Sequence, residues 1–232
     1  MQNWESLKKF FDGSNENLLR NSKKNVVDEH LTHYELRIGE ILKNYKVKRI
    51  LDVGCGEGKV LSSFARRYPE IEFIGIDISS QNIKTAKKDF PLENISYHNL
   101  NIIDGFQGIG KFDLIFSFSL IQYFDHISSI NLAKSLQFIL NTNGFIVHMS
   151  VPDIRCRKKY LKPKNFSFLN YTLFLARLIL VLIKKKKNYD KNSFWWDAKI
   201  LKKHYEGLNI SVEILPSDSW YRFDLIFKSI EK

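Results

Sequence analysis

Cysteine is scarce in this chain: 232 residues hold two, Cys55 and Cys156. Two thiols make no disulfide framework, and no zinc-type spacing surrounds either one. No metal site is expected. The N-terminal stretch MQNWESLKKF carries Glu5 and lacks the apolar core of a secretory signal. A cytoplasmic protein is therefore expected. No internal repeat or low-complexity linker divides the chain. Residues 154–187 contain no Asp or Glu at all.

The charge is uneven. The net charge is +11, yet the first 150 residues hold 18 basic against 17 acidic side chains. Residues 151–232 hold 18 against 8. Such an asymmetry points to an anionic partner: a phosphate, nucleic acid or a membrane surface. A lysine-rich solvated surface without a partner is the alternative.

Hydrophobic content of 44% and charged content of 26% suit one globular domain of this length. Residues 1–45 read as helices. Short apolar runs at 47–53, 71–76, 95–98, 112–117 and 145–150 read as buried strands. Helical patterns at 59–68, 79–90 and 127–140 alternate with them, and Asn143-Gly144 reads as the stop of the last. This alternation predicts a parallel α/β sheet. The pattern resumes with a helix at 197–205 and strands at 210–215 and 221–228, an antiparallel hairpin at the sheet edge.

The first strand runs into Asp52-Val53-Gly54-Cys55-Gly56-Glu57-Gly58. Glycines at this spacing let the backbone turn tightly from strand to helix and approach a ligand closely. A dinucleotide fingerprint wants a small residue one position further on, where this chain has Lys59. Asp77 ends the next strand, 19 residues after Gly58. A carboxylate there can accept from two ribose hydroxyls and repel a 2′-phosphate. A plain cap for the helix starting near Ser79 is the competing role.

ILDVGCGEGKV followed by FIGIDIS resembles motifs I and II of the class I S-adenosylmethionine-dependent methyltransferases. NLNIIDGF, FDLIFSFSLIQYFDH, NGFIVHMSVP and YRFDLIF resemble later segments of that family, in order, YRFDLIF resembling its closing edge strand. The resemblance is strong over 47–151 and moderate over 195–228. It implies a Rossmann-like seven-stranded, mostly parallel sheet with an antiparallel C-terminal strand and helices on both faces. It implies S-adenosyl-L-methionine as cofactor. Gly54, Cys55, Gly56 and Gly58 would line its methionine and ribose part, and Asp52 would orient the loop and reach the ammonium through water. Asp77 would hold the ribose hydroxyls and Ile78 would cover the adenine. Asn101 would meet the adenine amino group with Ile102 beside it, and Ser117 would offer a backbone carbonyl to the ammonium.

A sulfonium methyl is already electrophilic, so the enzyme's task is to align the acceptor and exclude water. A hydroxyl acceptor also gains from a general base. Gln122, Tyr123, Asp125 and His126 follow the fourth strand, and His148 and Asp153 flank the fifth. By residue type His126 is the base candidate; a helix start capped by Asp125 is the competing reading. His30, His33 and Tyr34 belong to N-terminal helices and cannot be ranked from sequence.

No N-P-P-Y-type tetrapeptide follows the fourth strand, which argues against that class of base N-methylation. The C-terminal segment is similar to bacterial enzymes that methylate sugars or other glycan precursors. The expected acceptor is therefore a small molecule, phosphorylated or nucleotide-linked, in polysaccharide biosynthesis. Methylation of a membrane lipid or quinone, methylation of tRNA or rRNA, and a non-catalytic cofactor-binding module stay open.

The expected organisation is one domain. It comprises a helical cap (1–45), a cofactor-binding core (46–152), an inserted basic and apolar element (153–194) and a C-terminal helix with its hairpin (195–232). Between two basic clusters, residues 166–183 are apolar nearly all round. Eighteen residues reach about 27 Å as a helix, short of a hydrocarbon core of roughly 30 Å, and Arg177 sits near the middle. A spanning helix is not expected. The element can lid the acceptor pocket, form a homodimer contact, or rest through 153–187 on the inner face of an anionic membrane. On the membrane reading, the protein binds anionic vesicles at low salt, and neutralising Lys184–Lys187 weakens the binding. Co-sedimentation that shows no vesicle binding leaves the lid and the dimer contact.

Overall fold

The structure is a computed structural model that describes residues 4–13, 32–102, 104–106, 108–161, 194–205 and 210–229. Most of the inserted element (162–193), on which the membrane and dimer expectations rest, and His30 lie outside the described residues. Among the described residues, no helix is long and apolar enough to cross a membrane.

Five strands form the parallel body of the sheet: β1 (Arg49–Val53), β2 (Glu72–Asp77), β3 (Ile95–Asn99), β4 (Phe112–Phe118) and β5 (Leu140–Pro152). Two more complete it, β6 (Ile210–Pro216) and β7 (Arg222–Ser229). Their spatial order is β3-β2-β1-β4-β5-β7-β6. β7 runs antiparallel to both β5 and β6. This is the expected seven-stranded α/β sheet with an antiparallel C-terminal strand. The chain reverses direction across the sheet between β1 and β4, which opens a crevice at the C-terminal strand ends.

The strand period of two divides the apolar residues between two cores. On β1, Leu51 and Val53 join one cluster with Leu132, Leu136 and Leu201, while Ile50 joins the other with Leu61, Phe64 and Ile38. Helix α1 (Trp4–Gly13) comes first. A π-helical turn, Glu35–Gly39, leads into α2 (Glu40–Asn44). Then come α3 (Lys59–Arg67), α4 (Ser80–Asp89) and α5 (His126–Phe138). The short α6 (Arg157–Leu161) and α7 (Ala198–Lys203) follow β5. Three helix starts carry the caps their sequences announce. Ser79 accepts from the Asn82 N–H, Asp125 from Ser128 and Asp197 from Lys199.

Two expectations need correction. The hairpin does not end the sheet with its second strand: β7 inserts between β5 and β6, so β6 is the edge. The Phe223, Leu225 and Phe227 side chains explain this, being buried where an edge strand would leave them half wet. Asn143-Gly144 also does not stop a helix. α5 ends at Phe138, and β5 begins at Leu140, paired with Phe112. The next β4 residue in register, Leu114, pairs with Phe145. The surplus residues bulge outward with Asn143 left-handed (φ 62), a conformation Asn tolerates better than most. Asp113 anchors the bulge. It accepts from Asn141 Nδ2 at 2.7 Å and, with its other oxygen, from the Lys48 and Arg49 N–H groups.

His148, expected beside the acceptor, is buried instead. Its Nδ1 pairs with Ser117 Oγ at 2.8 Å and its Nε2 with Tyr205 Oη at 2.5 Å, tying β4, β5 and the turn after α7 together. Burial drives the imidazole pKa down to about 3, so the folded protein holds it neutral. A depressed folded pKa means that this stability is present above the unfolded value of about 6.5 and drains away as pH falls. Denaturant titrations from pH 6.5 to 5 should show unfolding free energy falling with a slope of up to about 1.4 kcal/mol per pH unit from this site. His148→Gln, which cannot take a proton there, should lose that part of the slope.

Candidate functional site at the β1–β4 crevice

The crevice holds a cavity of about 220 Å³. Its floor is the backbone of Gly54 and Gly56, and Ile76, Asp77 and Ile78 form one wall. Asn101 and Ile102 lie at one end, Phe118, Ser119 and Leu120 at the other, and Phe11 of α1 closes over it.

The glycine turn is held by hydrogen bonds from above and beside. Gly54 and Cys55 donate their N–H groups to the Ile76 carbonyl at 2.8 and 3.0 Å. Gly56 donates to Asp77 Oδ2 at 2.9 Å, while Asp77 Oδ1 accepts from the Ser79 N–H at 2.8 Å and from Asn82 Nδ2 at 3.4 Å. Asp77 thus locks the turn to β2 and also supports the start of α4. A carboxylate has about four lone-pair directions, so these three bonds leave one, on Oδ2, for a ligand in the cavity. Burial raises its pKa, against the pull of those same hydrogen bonds. Gly58 is left-handed (φ 77), and a Cβ there would lie 2.7 Å from the Tyr97 ring. It serves the shape of the turn rather than the cavity wall. The Cys55 sulfur packs over Gly75, where a Cβ would meet it at 2.9 Å. Neither Cys55 nor Gly58 lines the cavity.

Asp52 sits just below this turn, 5% exposed, and its carboxylate makes no hydrogen bond among the described residues. Burial first, and the nearby Asp77 second, push its pKa well above the usual carboxylate range. A buried carboxylate without a partner is costly, and a cationic group in the crevice would relieve it.

Ser117 is buried within β4 with its hydroxyl on His148, and the cavity end of that strand is Phe118–Leu120. His126, the expected base, is the first residue of α5 and exposed. Its Nδ1 faces His204 Nε2 at 3.2 Å, and its ring lies against Trp196. It does not line the cavity, because the Asp125 cap starts the helix there and commits the ring to that outer cluster. Among the described residues, no group of three His, Cys, Asp or Glu is placed to hold a metal.

Several contributors were not read from the sequence. Asn99 donates to the Asp77 and Ile78 carbonyls at 2.9 Å and fixes the turn after β2. Asp12 accepts from Ser79 Oγ at 2.8 Å, while Phe11 meets Tyr123 edge-on at 5.4 Å, so α1 is fastened over the cavity from both sides. A second polar cluster stands at the ends of β4, β5 and β7. Asp224 is fully buried and binds His33 Nε2 at 2.6 Å, Arg37 Nε at 2.9 Å and the Ser150 N–H at 2.9 Å. Tyr34, next to His33, stacks on Phe118 at 4.6 Å. The alternation in RFDLIF held the signal: Arg222 and Asp224 share one face of β7, opposite three buried apolar residues.

A family profile described as "Methyltransferase domain" matches residues 50–144. An uncharacterised protein of Rickettsia prowazekii is 28% identical over 183 residues, covering 75% of this chain and 32% of that protein. A mitochondrial ubiquinone biosynthesis O-methyltransferase of Candida albicans is 33% identical over 119 residues, 50% of this chain and 35% of that protein. The chain thus spans about a third of the length of these two curated relatives. Magnesium protoporphyrin IX methyltransferase from Synechocystis, solved with S-adenosylhomocysteine, shares the fold at a TM-score of 0.68 and 10% identity, covering 99% of this chain and 100% of that one. The N-methyltransferase NodS of Bradyrhizobium japonicum does so at 0.60 and 16%, covering 98% of each chain. Residues 50–144 thus match a methyltransferase-domain family, and the sheet around them shares its fold with methyltransferases solved with S-adenosylhomocysteine.

Proposed function

We propose that this chain binds S-adenosylmethionine in the β1–β4 crevice and directs its methyl group to a small-molecule acceptor. The observation that carries the proposal is the pair of carboxylates around the glycine turn, Asp52 buried and Asp77 half-buried at the cavity wall. Asp52 has no partner among the described residues and suits the cationic end of the cofactor. Asp77 lines the cavity with a lone pair on Oδ2 to spare for a ribose hydroxyl. Gly54 and Gly56 bring the backbone against the ligand, and Cys55 and Gly58 shape the turn. Ile78 and Ile102 would flank the adenine, with the Asn101 amide accepting from its amino group. The Ser117 carbonyl would support the ammonium from the β4 side. When bound, the cofactor supplies an electrophilic methyl; the chain aligns the acceptor and excludes water, and α1 with Phe11 is placed for the second task.

For the acceptor we propose a hydroxyl of a sugar or other cell-surface glycan precursor, on the likeness of the C-terminal segment and the basic C-terminal third. A quinone or other membrane lipid is a second reading, favoured by the ubiquinone biosynthesis relative.

Calorimetry should show binding of S-adenosylmethionine and S-adenosylhomocysteine and none of NAD. Asp77→Ala should weaken S-adenosylhomocysteine binding at least about tenfold, since each charge-assisted hydrogen bond lost counts for roughly 1.5–3 kcal/mol before compensation. Binding of NAD alone, or an unchanged Asp77→Ala affinity, overturns the cofactor assignment. With labelled cofactor, label should pass to nucleotide-sugars or glycan precursors rather than to quinones or RNA. Label found only in a quinone establishes the second reading.

A further inference from the structure

We infer that Arg222 forms an anion-binding subsite at the acceptor end of the crevice, and that the acceptor carries a carboxylate or phosphoryl group gripped there. The inference rests on the methyltransferase reading for its word "acceptor", while the anion site itself rests on geometry. Arg222 opens β7 and is half-buried. Its Nη1 donates to the Ser150 carbonyl and approaches Ser119 Oγ at 3.5 Å; its Nη2 donates to Gln122 Oε1 at 3.3 Å. Ser119 lines the cavity, so the guanidinium stands one side chain behind the cavity wall. It also lies over the Tyr221 ring at 5.1 Å.

Every one of those partners is neutral. Two acidic side chains of this region are committed elsewhere. Asp224 answers Arg37 and His33, and Asp153 answers Arg155. No salt bridge joins Arg222 to an acidic side chain among the described residues, and its Nε–H has no acceptor there.

The contrast with other arginines of the chain is direct. Arg49 grips Glu72 through Nε at 2.6 Å and Nη2 at 3.2 Å. Arg155 grips Asp153 through Nε at 3.0 Å and Nη2 at 2.6 Å. That Nε/Nη2 edge is the fork that matches carboxylate and phosphate oxygens two at a time. In Arg222 the same edge holds only the Gln122 amide oxygen. The other edge is pinned by Ser150 and Ser119, both in left-handed backbone (φ 61 and 51). The guanidinium is therefore oriented in advance, with the Nε–H of its anion-matching edge unanswered and no carboxylate paired with its charge among the described residues.

The test follows arginine Nε–H resonances of the ¹⁵N-labelled full chain during titration with inorganic phosphate and with acetate. Each titration is run with and without saturating S-adenosylhomocysteine, against chloride at equal ionic strength. The Arg222 signal is assigned by triple resonance, so no variant is needed. A saturable shift of that signal with phosphate or acetate, and not with chloride, is expected; the responding anion separates a phosphoryl from a carboxylate acceptor. Arg222→Gln should weaken that binding at least about tenfold. An Arg222 signal unmoved by both anions, or moved equally by chloride, overturns the subsite. Failure of S-adenosylhomocysteine to bind would instead strike the cofactor reading, and the anion arms would still decide this one.

Discussion

The Asp77 carboxylate is the point on which the crevice depends. It accepts from Gly56 on one side and from Ser79 on the other, so one side chain sets both the β1–α3 turn and the β2–α4 turn. Glycines permit the β1 turn but do not choose it, because a chain free to adopt positive φ is free to adopt much else. The choice comes from the acceptors around it: Asp77 Oδ2 and the Ile76 carbonyl. The turn is therefore built by β2, and parallel pairing of β1 with β2 in register is what presents those acceptors.

The other half of the crevice follows a similar logic with different chemistry. At the ends of β4 and β5, Ser119 and Ser150 both take left-handed backbone, which costs serine roughly 1–2 kcal/mol each. Hydrogen bonds hold them there. The Ser150 N–H goes to Asp224 and its carbonyl to Arg222, and the Ser119 N–H goes to the Met149 carbonyl. β7 thus acts as more than a filler of the sheet. It carries the acid and the base that hold Ser150 of β5, the strand to which Ser119 at the end of β4 is in turn hydrogen-bonded.

Most of the parallel body was legible in the sequence because it is written locally. Apolar runs and the caps Ser79 and Asp125 each act within a few residues. The glycine turn and Asp77 were legible for the same reason, being short-range features at a fixed spacing. The β7 position was not, because strand order is fixed by which faces bury Phe223, Leu225 and Phe227, information spread over the whole sheet. His126 illustrates the limit for single residues. Its type suited a base, but its ring is claimed by Trp196 and His204, which arrive from some seventy or more residues away. The role of Asp224 was hidden likewise, since its partners His33 and Arg37 precede it by 191 and 187 residues.

The strand order has a consequence for how the chain is made. β5 is complete at Pro152, but the strand that covers its outer edge is β7, and Ser150 waits 72 residues for Arg222. At synthesis rates of about 5–20 residues per second, that is roughly 4–14 s during which an apolar parallel strand stands open on one side. The nascent sheet can settle β1 through β5 on the ribosome, with the cavity floor and the Asp77 contacts already in place. The far end of the cavity cannot form until β7 slides in, because Arg222 and Asp224 bring the contacts that bend Ser150. In that interval the protein owns half a pocket and one bare sheet edge, the condition in which a chain is most exposed to pairing with the wrong neighbour.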